Sequence, residues 1–181
     1  MDLGGLKSPA FLDKNPQGLM PLLVLSDEDE PIPESDTIAR FLASTFASRG
    51  TDLAPSSPLA AAQIDKVCRL HDMYLAPIQG CLYKVAGLNA FPPFGKFGTR
   101  QEALGEMVRQ MKLLEAMVAP AGGQYLCGAS PTDADCAVFP TACFLMHMLP
   151  KFDVETEAAF GPRLAKWFEH MSTADNVGIK V

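Results

Sequence analysis

The chain has 181 residues, 48% of them hydrophobic, which is enough to build a core for one domain or two small ones. Its net charge of -6 argues against a nucleic-acid backbone as partner, because that would need a basic face to displace counterions, and against an anionic membrane surface. No run approaches the roughly 18 to 20 apolar residues of a membrane span, and Met1 to Gly5 lacks the basic and apolar regions of a signal peptide, so the default expectation is a cytoplasmic protein.

In chain order, Ser8-Pro9 is a good cap and first-turn arrangement for a short helix carrying Phe11 and Leu12. Asn15-Pro16-Gln17-Gly18 then makes a turn, and Pro21 opens the apolar run Leu22 to Leu25. The acidic turn Asp27 to Glu30 connects it to a second short strand, predicting a hairpin. Ser35 reads as the N-cap of a helix over 35–47 with Ile38, Phe41, Leu42 and Phe46 on one side.

Residues 48–58 are dense in Gly, Pro and Ser and read as a linker. Everything beyond reads as helix. Over 59–86, Ile64, Val67, His71, Tyr74, Ile78, Cys81 with Leu82, and Val85 form one stripe, and Pro77 should kink it. A packed loop with Phe91, Phe94 and Phe97 comes next. Thr99 and Glu102 form a capping box ahead of the stripe Leu104, Met107, Met111, Leu114 and Val118. Thr132 and Asp135 form a second one, opening a helix apolar on nearly every face from Cys136 to Leu149, expected at the centre of a bundle and bent at Pro140. The last helix starts at Pro162 and buries Leu164, Trp167, Phe168 and Met171.

The five cysteines are scattered, with no Cys-x-x-Cys pair and no histidine at ligand spacing, so they read as reduced core thiols and no metal site is expected. His71 and His147 read as hydrogen-bonded structural residues, and Asp27 to Glu30 as a solvated turn.

The segments Phe11-Leu12-x-x-Asn15-Pro16-x-Gly18-x-Met20-Pro21, Glu34-Ser35-Asp36-x-Ile38 and Tyr125-Leu126-Cys127-Gly128 leading to Thr132-x-Ala134-Asp135 resemble the glutathione S-transferase family in order and spacing. Leu19 before Met20, and Leu3-Gly4, are reminiscent of its omega and dehydroascorbate-reductase-like classes. The resemblance implies a mainly α fold: a partial thioredoxin-like unit of helix, β-hairpin and helix over 1–50, a linker at 51–58, and an all-helical C-terminal domain over 59–181. It implies glutathione as co-substrate or ligand. Met20 would present its backbone to the cysteinyl part, with Pro21 cis; Glu34 would take the γ-glutamyl ammonium and Ser35 its carboxylate. A helix start is an anion site on independent physical grounds.

Against the family's pattern, Met1-Asp2-Leu3 corresponds to the end of the second strand. The first strand, first helix and catalytic Tyr, Ser or Cys are then absent, and no residue within 1–20 replaces them by position. The expectation is therefore glutathione binding, with conjugation or thiol transfer only if that segment is supplied; an upstream extension could direct the protein to an organelle. The alternative is a non-catalytic binding or assembly subunit. The strand edge at 21–25 would need cover, from a homodimer mate or another protein.

Overall fold

The computed structural model describes residues 5–83, 96–118 and 123–173. Two compact units emerge, Met1–Asp52 and Leu53–Val181. The stripe residue Val85, the loop phenylalanines 91 and 94, and the polar tail after residue 173 lie outside the described residues.

The first unit runs helix, hairpin, helix. Helix α1 (Pro9–Lys14) is capped by Ser8, whose hydroxyl accepts from the Phe11 amide at 3.2 Å. Strands β1 (Leu22–Leu23) and β2 (Ile32–Pro33) pair antiparallel, Leu22 opposite Pro33 and Leu23 opposite Ile32. The ladder is shorter than the apolar run Leu22 to Leu25. Helix α2 (Ser35–Thr45) comes directly after it. Phe11 is the one large apolar side chain buried among the unit's described residues, while Leu19, Met20, Leu25, Leu42 and Phe46 are exposed.

The second unit is helical. Helix α3 (Pro58–Leu70) has Pro58 in its first turn behind the Ser57 cap. It passes into a π-helical turn, His71–Leu75, then a 3-10 turn, Ala76–Ile78, and the short α4 (Gly80–Tyr83). Pro77 lies in the 3-10 turn, where its missing N–H costs the ladder least. The π turn overturns one expectation. Its wider spacing shifts the register of the stripe, so Leu75 is fully buried and Tyr74, assigned to the stripe by regular spacing, is 50% exposed.

Helix α5 (Arg100–Met117) opens on the expected box: Thr99 Oγ1 accepts from the Glu102 amide and Glu102 Oε2 from the Thr99 amide. Met107, Met111 and Leu114 are fully buried. Helix α6 (Asp133–Met148) runs unbroken through Pro140 and ends in a 3-10 turn, Leu149–Phe152. Ala134, Val138, Ala142 and Leu145 are buried, but Cys136, Pro140, Cys143 and His147 share an exposed face. The expected all-round burial of α6 is therefore wrong, and two of the five thiols are not core residues. The proline ring sits on that open face, where the neighbouring helices are not crowded by it.

Helices α7 (Thr156–Ala159) and α8 (Pro162–Thr173) complete the unit. The start of α8 is capped from another helix: Glu115 on α5 accepts from the amides of Arg163 (3.1 Å) and Leu164 (2.9 Å). A Cβ at Gly161 would collide with that carboxylate. Leu164 and Trp167 are buried as expected, whereas Phe168 is half-buried.

The buried carboxylate of Asp135 ties the centre of this unit together. Its Oδ1 accepts from the Leu126 amide (2.8 Å) and Trp167 Nε1 (2.8 Å), and its Oδ2 from the Thr132 amide (2.9 Å) and Thr132 Oγ1 (3.0 Å). All four acceptor positions of the carboxylate are used, so its burial leaves no unmet polar demand.

Candidate functional site

The candidate site belongs to the first unit and is delivered by a loop with its own internal scaffold. Asn15, buried at the end of α1, donates from Nδ2 to the Leu19 carbonyl (2.8 Å) and accepts from the Gln17 amide (3.3 Å). Lys7 Nζ donates to the carbonyls of Gln17 and Gly18, both at 3.2 Å. Gly18 has φ +62, and a Cβ there would meet the Leu6 carbonyl oxygen at 2.9 Å and Lys7 Nζ at 2.6 Å, so only glycine fits. The sequence alone does not single out Lys7 or the bracing role of Asn15. The Asn-Pro-x-Gly punctuation marks the turn, but which side chains hold it closed depends on a contact ten residues back along the chain.

That loop leads into the Met20-Pro21 peptide, which is cis. Met20 is 71% exposed. Extending the hairpin register by one step sets Pro21 opposite Glu34, so Met20-Pro21 and Glu34-Ser35 meet at the same end of the hairpin. The four residues expected from the sequence are thus brought together by the β1-β2 pairing.

One detail differs from expectation. The residue capping α2 is Glu34, at φ 72 and ψ 123, with Ser35 already the first helical residue. The side chain of Glu34 makes no cap hydrogen bond, so the cap residue itself supplies no side-chain acceptor to the first amides of α2. Glu34 and Ser35 are both exposed. An exposed helix start with a hydroxyl at its first position, an acid beside it and a backbone strand alongside can take a group carrying both a carboxylate and an ammonium.

The remaining candidates have structural partners. Thr99, Glu102, Thr132 and Asp135 are all engaged in the two capping boxes. His71 bridges α6 and its own helix: Gln79 donates to Thr141 Oγ1 (2.5 Å), leaving the hydroxyl proton for His71 Nε2 (2.8 Å) and the Nδ1 proton for Asp72 (2.9 Å). His147 Nε2 accepts from Lys151 (2.8 Å). Ser26 folds the acidic turn onto itself, its hydroxyl donating to Asp29 at 2.6 Å and accepting from the amides of Glu28 and Asp29. Among the described residues no three His, Cys, Asp or Glu side chains group as a metal site, and no helix is long and apolar enough to cross a membrane. Burial pushes the Cys81 and Cys127 thiols up to about 11, with Asp135 adding to the effect at Cys127, so neither is a ready thiolate.

Comparison with known proteins points one way. Residues 98–170 match the family model described as glutathione S-transferase, C-terminal domain. The chain is 26% identical over 174 residues to glutathione S-transferase 1 of Ascaris suum, covering 93% of this chain and 75% of that one. The structure of glutathione S-transferase III in apo form superposes with a TM-score of 0.72 at 27% identity, over 98% of this chain and 80% of that chain. Maleylacetoacetate isomerase from Methylobacterium extorquens, solved with malonate and GSH bound, shares the fold with a TM-score of 0.64 at 24% identity, over 98% and 80% of the two chains.

Proposed function

The chain belongs to the glutathione S-transferase family, and from that premise we propose that its first unit binds the γ-glutamyl end of glutathione. On this reading residues 1–50 are the glutathione-binding unit, 51–58 the linker and 59–181 the helical domain. Ser35 and the first amides of α2 take the γ-glutamyl carboxylate, Glu34 takes the ammonium, and the backbone of Met20, ahead of Pro21, pairs with the cysteinyl part. The observation that carries the reading is the start of α2, to which the cap residue lends no side-chain acceptor, beside the Met20-Pro21 strand end. The five free cysteines suit a reducing compartment such as the cytoplasm.

The reading covers binding, and conjugation or thiol transfer would require a thiol-activating group beyond these four residues. Ser8 is committed as the α1 cap, and the raised thiols of Cys81 and Cys127 are poorly suited to the task. The 181-residue chain is therefore expected to bind glutathione without accelerating its conjugation to a chlorodinitrobenzene. The test is calorimetric titration with glutathione: Ser35→Ala should weaken binding about tenfold, the worth of one hydrogen bond to a charged group. Equal affinity in parent and variant, or no heat of binding, would sink the reading.

A second reading is favoured by the exposed Leu19, Met20 and Leu25, which leave the first unit with little apolar burial of its own. Here the chain is a non-catalytic binding or assembly subunit, and a homodimer mate or another protein covers the strand edge at 21–25. Retention on immobilised glutathione separates the two: retention fits the first reading, whereas an oligomer that flows through fits the second.

A further inference from the structure

The sequence holds three Ser-Pro pairs, Ser8-Pro9, Ser57-Pro58 and Ser130-Pro131, and the fold sets them in different surroundings. Proline has no N–H and keeps the residue before it extended. A Ser-Pro pair therefore suits an enzyme cleft that takes an extended backbone and offers no acceptor at the position after the serine. What separates the three pairs is whether their neighbours can leave the surface to enter such a cleft.

Two of them are tied down. Ser8 is half-buried, and its amide donates to the Gly5 carbonyl at 3.1 Å. It stands between Lys7, which braces the loop at the Gln17 and Gly18 carbonyls, and the buried Phe11. Ser130 is exposed, but Thr132 two residues on is buried and bonded to Asp135. On its other side Tyr125 is buried and bridged to Gly128. Drawing Ser130 into a cleft would pull apart the polar cluster at the centre of the helical unit.

Ser57 has no such neighbours. Every residue from Ala54 to Leu59 is exposed, and 51–57 forms neither helix nor strand. Ser57 itself is extended, at φ -163 and ψ 164. Its hydroxyl accepts from the Ala60 amide at 3.1 Å, an exposed bond in a helix's first turn, where fraying is easiest. That first turn carries no acidic residue, so no like charge within it opposes a dianion at the cap, and the helix dipole favours one.

We propose that Ser57 is a phosphorylation site for a proline-directed protein kinase, and that the phosphate then caps α3. In the transfer Ser57 Oγ attacks the γ-phosphorus of ATP, the bond from that phosphorus to the β,γ-bridging oxygen breaks, ADP leaves, and the hydroxyl proton passes to the kinase's catalytic base. The dianion takes the place of the hydroxyl as acceptor for the first amides after Pro58, those of Leu59 and Ala60. Ser57 belongs to the second unit, so the site is independent of the glutathione reading.

The experiment incubates the full chain with an activated mitogen-activated protein kinase and Mg-ATP and maps the phosphopeptides by mass spectrometry. Free peptides spanning each of the three pairs serve as references. Scaled to its own peptide, Ser57 in the folded chain should be phosphorylated at least about tenfold faster than Ser8 or Ser130, and Ser57→Ala should remove the main product. In the phosphorylated chain the phosphorus NMR titration midpoint should fall a few tenths of a pH unit below the ordinary value of about 6, and exchange of the Ala60 amide should slow. Scaled rates at Ser57 no higher than at the other two serines, no product at Ser57 in the folded chain, or a midpoint at or above about 6 would each overturn the proposal.

Discussion

Replacing Asp135 tests the account of the helical unit most severely, because the two oxygens of its buried carboxylate carry different loads. Asp135→Ala strands the Leu126 amide, Trp167 Nε1 and the Thr132 amide in the interior, while the Thr132 hydroxyl can turn elsewhere. Three buried donors left unmet, with partial relaxation, should cost about 4 kcal/mol. Asp135→Asn is milder. Its amide nitrogen can take the Oδ2 position, where one partner is a hydroxyl able to reverse and accept, so only the Thr132 amide loses its acceptor and the cost is about 2 kcal/mol. The assay is urea unfolding followed by the fluorescence of Trp167, the chain's one tryptophan and a direct partner of the carboxylate. With an m-value of about 2 kcal/mol/M the midpoints should fall by about 2 M and 1 M respectively. Equal shifts for the two variants, or an Ala variant within about 1 kcal/mol of the parent, would refute the division of labour between the oxygens.

Single contacts elsewhere can be probed in the same way. Gly18→Ala should destabilise the first unit by about 1 to 3 kcal/mol, read as faster amide exchange at Leu23 and Ile32, the pair opposite each other next to the proline position of the ladder, because the Leu6 carbonyl cannot move aside as Lys7 can. Hydrogen bonds from Arg109 and Gln110 lower Glu106 to about 2 from its usual 4.5. A lowered folded-state value stabilises above the unfolded value and is lost as pH falls through the folded one. Glu106→Gln should therefore cost under about 1 kcal/mol above pH 5, given the exposure of Arg109, and the difference should vanish on titration down through about pH 2. Iodoacetamide followed by peptide mass mapping should label Cys136 and Cys143 in the native protein and Cys81 only after unfolding.

Where the structure agrees with the sequence, the determinants are local. Ser8, Thr99 with Glu102, and Thr132 with Asp135 each cap a helix through bonds spanning three residues, so spacing alone identifies them. The Met20-Pro21 and Glu34-Ser35 pairs are legible through family resemblance, and the hairpin register brings them to one end. Two of the misses have a non-local cause. The π turn at His71–Leu75 moves burial from Tyr74 to Leu75, coinciding with the hydrogen bond between His71 and Thr141, seventy residues away. The cap of α8 comes from Glu115, nearly fifty residues earlier, and no local pattern announces it. The open face of α6 carries the small or weakly polar residues Cys136, Pro140 and Cys143, whose hydropathy does not distinguish exposure from burial. Helix α2 starts one residue earlier than a Ser35 cap would place it, because Glu34 takes a positive-φ backbone and the cap position with it. A sequence pattern does not favour that conformation in a glutamate.

The central claim is that this chain recognises the γ-glutamyl end of glutathione, and dipeptide fragments test it most directly. In parallel calorimetric titrations of the 181-residue chain, γ-glutamylcysteine should bind nearly as well as glutathione, and cysteinylglycine, which lacks the γ-glutamyl head group, should not bind measurably. Binding of cysteinylglycine equal to that of γ-glutamylcysteine would contradict the assignment of Glu34, Ser35 and the start of α2.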